Sequence, residues 1–162
     1  MEIQDLRKIY RQTEQRSTIV MLVALPVFGI IYLFFESGKK LMEVPEIPEF
    51  LVWLLASICG VGLILQYFLF SQKIKLTFEK DELLEKVKIY SQATNQRYLI
   101  LLLASLVSSL GLLLSKNPIF TLFFAIVLVF FSMAKPTPDR LARLMKLKKE
   151  DRELIRTASR PE

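Results

Sequence analysis

The sequence has no histidine and a single cysteine, Cys59. Histidine is the usual metal ligand, general base and pH-sensitive group in proteins, so its absence removes the simplest designs for catalysis, zinc binding and pH switching. One cysteine cannot form a disulfide within the chain, so the cysteine content does not indicate whether the protein lies in an oxidising or a reducing compartment. We therefore expect no enzyme activity, no metal site and no cofactor.

Charge is also absent from four apolar blocks, residues 18–35, 50–70, 98–114 and 118–134. All 22 basic and 16 acidic residues lie outside them. Uncharged apolar stretches of about 18 residues are typical of membrane spans, because roughly 20 helical residues cross a hydrocarbon core of about 30 Å. The pattern predicts an all-α integral membrane four-helix bundle, built from two transmembrane hairpins with cytoplasmic helical extensions. The last two blocks are short, so a re-entrant hairpin is the alternative there.

The basic residues predict the orientation. Nineteen of the 22 Lys and Arg residues fall in segments 1–17, 71–97 and 135–162, and three fall in 36–49 and 115–117. Basic residues in short loops stay on the cytoplasmic side. We expect both termini in the cytoplasm and a multi-pass protein of the plasma membrane, with the bacterial inner membrane favoured. Because topology explains the basic excess, we expect no nucleic-acid binding.

Residues 1–135 are predicted to form the membrane domain, and residues 136–162 a cytoplasmic amphipathic helical tail. No Pro or Gly interrupts residues 73–110, so the segment leading into the third span should continue into it as one helix. The same holds for the segment leading into the first span. Residues 8–12 resemble residues 88–92, which leaves two readings open, a parallel internal repeat and chance similarity.

The tail begins with Thr137 and Pro138, a favourable N-cap and first helical residue. Leu141, Leu144 and Met145 then lie on one helical face. This pattern predicts two short helices or one bent helix at the membrane surface, attracted to anionic inner-leaflet lipids by about 1 kcal/mol per nearby basic residue. The apolar faces of the two leading segments should pack on each other, and the alternative is a docking face for a partner protein.

Small residues recur at helical spacing in the second and third spans. They let helix backbones approach closely, so we expect helix packing within the bundle, and the alternative is a face for homo-oligomer formation. Pro26 is expected to kink the first span. The predicted packing residues are Ala56, Gly60, Ala104, Ser105, Ser108, Ser109 and Gly111.

Few polar groups lie inside the blocks, and none of them is ionisable. They include Ser57, Gln66, Ser105, Ser108, Ser109, Thr121 and Ser132. Proton and ion transport usually requires a buried ionisable side chain. We expect a non-catalytic accessory, assembly or scaffolding subunit that sits in the lipid bilayer and contacts a partner through its cytoplasmic helices. A small oligomeric channel or transporter lined by serines is the alternative. A lipid-modifying enzyme using Glu79, Asp81 and Glu82 is the least favoured.

Overall fold

The computed structural model describes residues 2–38 and 47–159, and all of their regular structure is helical. The prediction of an all-α chain is therefore confirmed for the described residues. Residues 39–46, which belong to the segment 36–49 between the first two apolar blocks, lie outside them. The helices are α1 Glu2–Glu36, α2 Glu49–Leu76, a 3₁₀ turn Thr77–Glu79, α3 Leu83–Ser115, α4 Ile119–Ala134, α5 Pro138–Leu144 and α6 Lys149–Ser159.

Three helices, α1, α2 and α3, are long and apolar enough to cross a membrane. A fourth crossing results if α4 and α5 are counted together, although the chain bends by 85° between them. Helix α4 has 16 residues, which is about 24 Å of helix and short of a hydrocarbon core of about 30 Å. The described chain therefore holds three to four helices compatible with a membrane protein.

The leading segments continue into the apolar blocks without a break, as predicted. Helix α1 runs for 35 residues and α3 for 33, each about 50 Å long. Pro26 lies inside α1, whose helical assignment continues on both sides of it. The kink at Pro26 stays a prediction.

A tight turn joins α3 to α4. Lys116 adopts the left-handed conformation with φ 54°, which ends α3. Asn117 donates its backbone N–H to Ser115 Oγ (3.2 Å), and its side-chain oxygen accepts from the N–H of Ile119 (3.0 Å). The second bond satisfies one of the N–H groups that the start of α4 leaves open. The turn makes α3 and α4 antiparallel neighbours.

The basic segments meet at one end of the molecule, which we call the basic end and define as residues 3–17, 70–97 and 136–159. Its core draws on α1, α2, α3, α5 and α6, and Thr13 Oγ1 and Ser91 Oγ form a hydrogen bond of 2.6 Å between α1 and α3. The predicted packing of the two leading segments on each other is confirmed. The core side chains are Leu6, Tyr10, Phe70, Ile74, Leu83, Val87, Tyr90, Ala93, Leu141, Ala142, Met145, Leu147, Ile155 and Ala158.

The tail forms two short helices, and Thr137 caps the first by accepting from the N–H of Arg140 (3.3 Å), as predicted. The expected use of its apolar face does not fit the structure, because Leu141, Met145 and Ile155 are buried in one cluster with residues of α1 and α3. The physical reason is that α1 and α3 carry apolar stripes beyond the apolar blocks, and the tail covers them. The attraction of the basic tail to anionic lipids stays a prediction.

Two further apolar clusters fill the bundle between the basic end and the opposite end, which we call the turn end because it holds the α3–α4 turn. At the turn end the rings of Phe28 and Phe124 stack with centroids 3.7 Å apart. Large apolar side chains also cover the outside of the bundle, where a soluble helix would carry charge. These exposed residues include Ile19, Leu22, Leu33, Trp53, Val61, Ile64, Phe68, Leu122 and Val129.

Candidate functional site

A buried cation lies where the apolar bundle meets the basic end. Arg97 of α3 is 3% exposed, and its Nε donates to Gln66 Oε1 of α2 at 2.6 Å. Gln66 is fully buried and uses its Nε2 to donate to the backbone oxygen of Leu63 (3.1 Å). The guanidinium also stacks over the ring of Phe70, 4.9 Å from its centroid. Both polar ends of Gln66 are thus satisfied, as buried amides require.

Among the residues that the structure describes, the groups that act electrostatically on Arg97 include no carboxylate. They are the guanidinium of Arg140 and the phenols of Tyr98, Tyr90 and Tyr67. Arginine keeps its charge in proteins, so burying it without an acidic partner is costly. A hydrogen bond to an amide oxygen and the face of Phe70 offset part of that cost. This level of the molecule therefore carries a concentrated positive charge.

Further hydrogen bonds join the helices around Arg97. The phenol of Tyr10 on α1 donates to the backbone oxygen of Pro136 (3.1 Å), and the phenol of Tyr98 donates to the backbone oxygen of Phe131 on α4 (3.3 Å). With the Thr13–Ser91 and Arg97–Gln66 contacts they form what we call the polar layer. It consists of Tyr10, Thr13, Gln66, Ser91, Arg97 and Tyr98. Each contact links a different pair of segments, so the layer ties the bundle to the basic end.

Comparisons of this chain with known protein families, with characterised proteins and with solved structures give no match. The function therefore has to be inferred from the contacts, burial and charges of this chain's own residues.

Arg97 is a buried ionisable residue that the sequence analysis did not single out. It directly precedes the third apolar block and therefore belongs to the basic segment 71–97. In the folded chain it lies on the face of α3 that contacts α2. One signal was present in the sequence: Gln66 lies in an apolar block and needs a hydrogen-bonding partner when buried. Arg97 is the cation next to the corresponding end of the third block.

The small residues of α2 and α3 lie between helices, at different depths. Gly111 faces Phe120, and a Cβ at Gly111 would stand 2.3 Å from a carbon of that ring, which no real contact permits. Ser108 Oγ lies 3.4 Å from Cys59 Sγ of α2. Ala104 lies against Gly62 of α2, with 3.9 Å between the Cβ of Ala104 and an ideal Cβ at Gly62.

The remaining predicted packing residues either have looser contacts with other helices or form hydrogen bonds within their own helix. Ala56 is buried in the apolar cluster at the turn end, whereas a Cβ at Gly60 would meet only Phe123 at 3.9 Å. Ser105 donates to the backbone of Leu102 (2.7 Å), and Ser109 to that of Ser105 (2.8 Å). Ser105, Ser108 and Ser109 are all buried inside one chain. They therefore do not present a surface that could line a pore between chains.

The acidic residues at the α2–α3 connection remain apart from this site. Glu79, Asp81 and Glu82 are exposed at the basic end, and Lys80 forms an ion pair with Glu85 at 3.2 Å. Across residues 2–38 and 47–159, no three His, Cys, Asp or Glu side chains come together in a way that could hold a metal ion. Among the described residues, the polar layer is where hydrogen bonds join α1, α2, α3 and α4 around a buried charge.

Proposed function

We propose that this chain is a non-catalytic multi-pass protein of the plasma membrane, in bacteria the inner membrane. In this proposal it crosses the bilayer four times, keeps both termini in the cytoplasm, and acts as an accessory, assembly or scaffolding subunit. It contacts its partner through the helices of the basic end.

The observation that carries the proposal is the basic end itself. Segments that are far apart in the sequence build one apolar core there. Helices α1, α2 and α3 bring nearly all of their basic residues to this side, which supports a cytoplasmic location. A preformed helical unit outside the bilayer is what a partner-binding subunit needs, because a rigid surface loses little conformational entropy on binding.

One patch on the basic end is suited to contact a partner. Leu76 and Phe78 are 49% and 50% exposed at the end of α2, although most apolar side chains of this region are buried. Leu76 lies about 9 Å beyond Phe70, the last residue of its apolar block, at 1.5 Å per residue. Lys146 Nζ stands 5.4 Å from the centroid of the Phe78 ring. An apolar surface bordered by lysines fits a partner that is apolar and acidic.

Reporter fusions test the membrane placement. A reporter inserted near Gln72 should behave as cytoplasmic, and so should one fused after Glu162. A reporter inserted at Gly38 should behave as external. Cytoplasmic behaviour at Gly38 would contradict the four-span arrangement.

Site-specific photo-crosslinking in living cells tests the partner proposal. A photoreactive phenylalanine analogue at Phe78 should give one defined adduct, and the same analogue at exposed Gln12 on α1 should give none. The double variant Leu76→Ser and Phe78→Ser should lose the partner while remaining inserted. Surface variants are preferable to truncation at residue 135, because removing α5 and α6 would expose the core they help to form. An inserted protein without an adduct at Phe78 would contradict the proposal.

A further inference from the structure

A groove of about 320 Å³ opens between α1 and α4, beside the polar layer. Glu14 and Ser17 line it from α1, and Lys135 and Ser132 line it from the end of α4. Met21 and Phe131 line the part that faces the apolar blocks. The groove therefore has a charged part and an apolar part, and both are lined by α1 and the end of α4.

Two oppositely charged side chains in the groove have no ion-pair partner among the described residues. Glu14 and Lys135 form no ion pair with the residues that the structure describes. Lys135 is exposed and Glu14 is half-buried, so a ligand can approach both. Their presence in one cavity fits a ligand that carries both a negative and a positive group.

The position of the groove further restricts the chemical class of the ligand. Residue 18 begins the first apolar block and residue 134 ends the fourth, so the groove straddles the boundary between hydrocarbon and water in the proposed membrane placement. Phospholipid headgroups lie at that level, and basic side chains there attract their phosphates. An acyl chain of the same molecule would run along Met21, which is partly exposed.

We infer that this groove binds the headgroup of a zwitterionic, primary-amine phospholipid of the ethanolamine class. Lys135 pairs with the phosphate, and Glu14 accepts hydrogen bonds from the ammonium group. An anionic headgroup offers no positive charge to Glu14, and a trimethylated amine has no N–H to donate. The inference rests on the membrane placement proposed above and is independent of the partner patch at Phe78.

Native mass spectrometry of the delipidated full-length protein in detergent tests this inference. Phosphatidylethanolamine, phosphatidylglycerol and phosphatidylcholine with identical acyl chains serve as probes, and the ethanolamine lipid should bind most tightly. Lys135→Gln should weaken its binding about fivefold, since one basic contact contributes about 1 kcal/mol. Glu14→Gln should weaken the binding of the ethanolamine lipid and should not weaken that of phosphatidylglycerol, which carries no positive group. Lys88→Gln and Glu153→Gln, which remove the same charges from exposed positions elsewhere, should change neither.

A steric variant checks the location without changing charge. Ser132→Phe should fill the groove and abolish the preference for the ethanolamine lipid while the helical content by circular dichroism stays unchanged. Equal binding of the three lipids, or no effect of either charge variant, would overturn the inference. Competition by millimolar inorganic phosphate would assign the site to free phosphate and would also overturn it. Either failure leaves the cross-link at Phe78 intact, so the two proposals are separable.

Discussion

The turn end and the polar layer hold the same helices together by different means. At the turn end the contacts are apolar and steric, with Phe28 stacked on Phe124 and Phe120 seated on Gly111. In the polar layer hydrogen bonds join different helices, as between Arg97 and Gln66. The interactions that determine which helices pair therefore change along the molecule. They are steric at the turn end and hydrogen bonds in the polar layer.

This difference follows the surroundings proposed for each region. Helices within hydrocarbon gain little from burying apolar side chains, so close packing of small and large residues must hold them. Near water the apolar core of the basic end gains the full hydrophobic contribution, and hydrogen bonds set which helices pair. Variants in the two regions should therefore lose stability for different reasons, through steric overlap at the turn end and through lost hydrogen bonds in the polar layer.

The largest effect is expected from Gln66→Leu. This change removes the acceptor of Arg97 and leaves a buried charge without its hydrogen bond, at a cost of about 3–5 kcal/mol in the free energy of unfolding. Thermal unfolding in detergent measures it. The double variant Gln66→Leu and Arg97→Met should recover most of the loss, because both partners are then apolar.

Gln72→Leu is the matched control, since it makes the same substitution at an exposed position six residues further along α2. If Gln66→Leu costs no more than Gln72→Leu, the polar layer does not depend on this pair.

Gly111→Ala tests whether steric contacts stabilise the turn end. The added methyl group would overlap the Phe120 ring, and overpacking of this kind costs about 1–3 kcal/mol. Gly29→Ala is the control, because nothing lies within 4 Å of its added Cβ, and there the change should stabilise α1 by up to about 1 kcal/mol. Phe120→Leu should rescue part of the loss at Gly111. Thermal unfolding measures the stability of each variant.

Ser108→Leu should act in the same direction, since Ser108 is fully buried beside Cys59. Size-exclusion chromatography of both variants separates the two interpretations of the small residues. A fall in stability at constant size supports packing within one chain. A change in oligomer size at constant stability would show that these residues form a face between chains.

Tyr10→Phe should have a moderate effect. It removes the hydrogen bond to the backbone oxygen of Pro136 and leaves the ring in place, so the expected loss is about 0.5–1.5 kcal/mol. Tyr32→Phe, at the turn end, provides the comparison variant. Equal effects of the two changes on thermal unfolding would show that the hydroxyl of Tyr10 does not hold α1 to the α4–α5 connection.

The smallest effect is expected from Glu85→Gln. The ion pair with Lys80 is about half exposed on both sides, and such pairs contribute between about 0 and 1 kcal/mol. High salt should reduce the contribution further. A loss above that range would mean that the connection between α2 and α3 is more strongly coupled to the basic end than the exposed pair suggests.

The helices and the place of the tail cap could be predicted because they depend on neighbouring residues. Uncharged blocks mark α1 to α4, the absence of Pro and Gly extends α3 toward its leading segment, and Thr137 with Pro138 marks the start of α5. The burial of Arg97 could not be predicted in the same way. Its neighbours on one side are polar, and whether its side chain faces solvent or α2 depends on how α3 is rotated against α2.

The sequence by itself determined the helical class, the apolar blocks and the separation of basic from apolar segments, because each depends on composition summed over a local stretch. The tertiary structure alone decided three contacts: Arg97 with Gln66, 31 residues apart, Phe120 over Gly111, and the tail against α1 and α3. The physical reason is that hydropathy averages over a helix, whereas a contact depends on the rotation and depth at which two helices meet. Those quantities follow from the packing of the whole bundle.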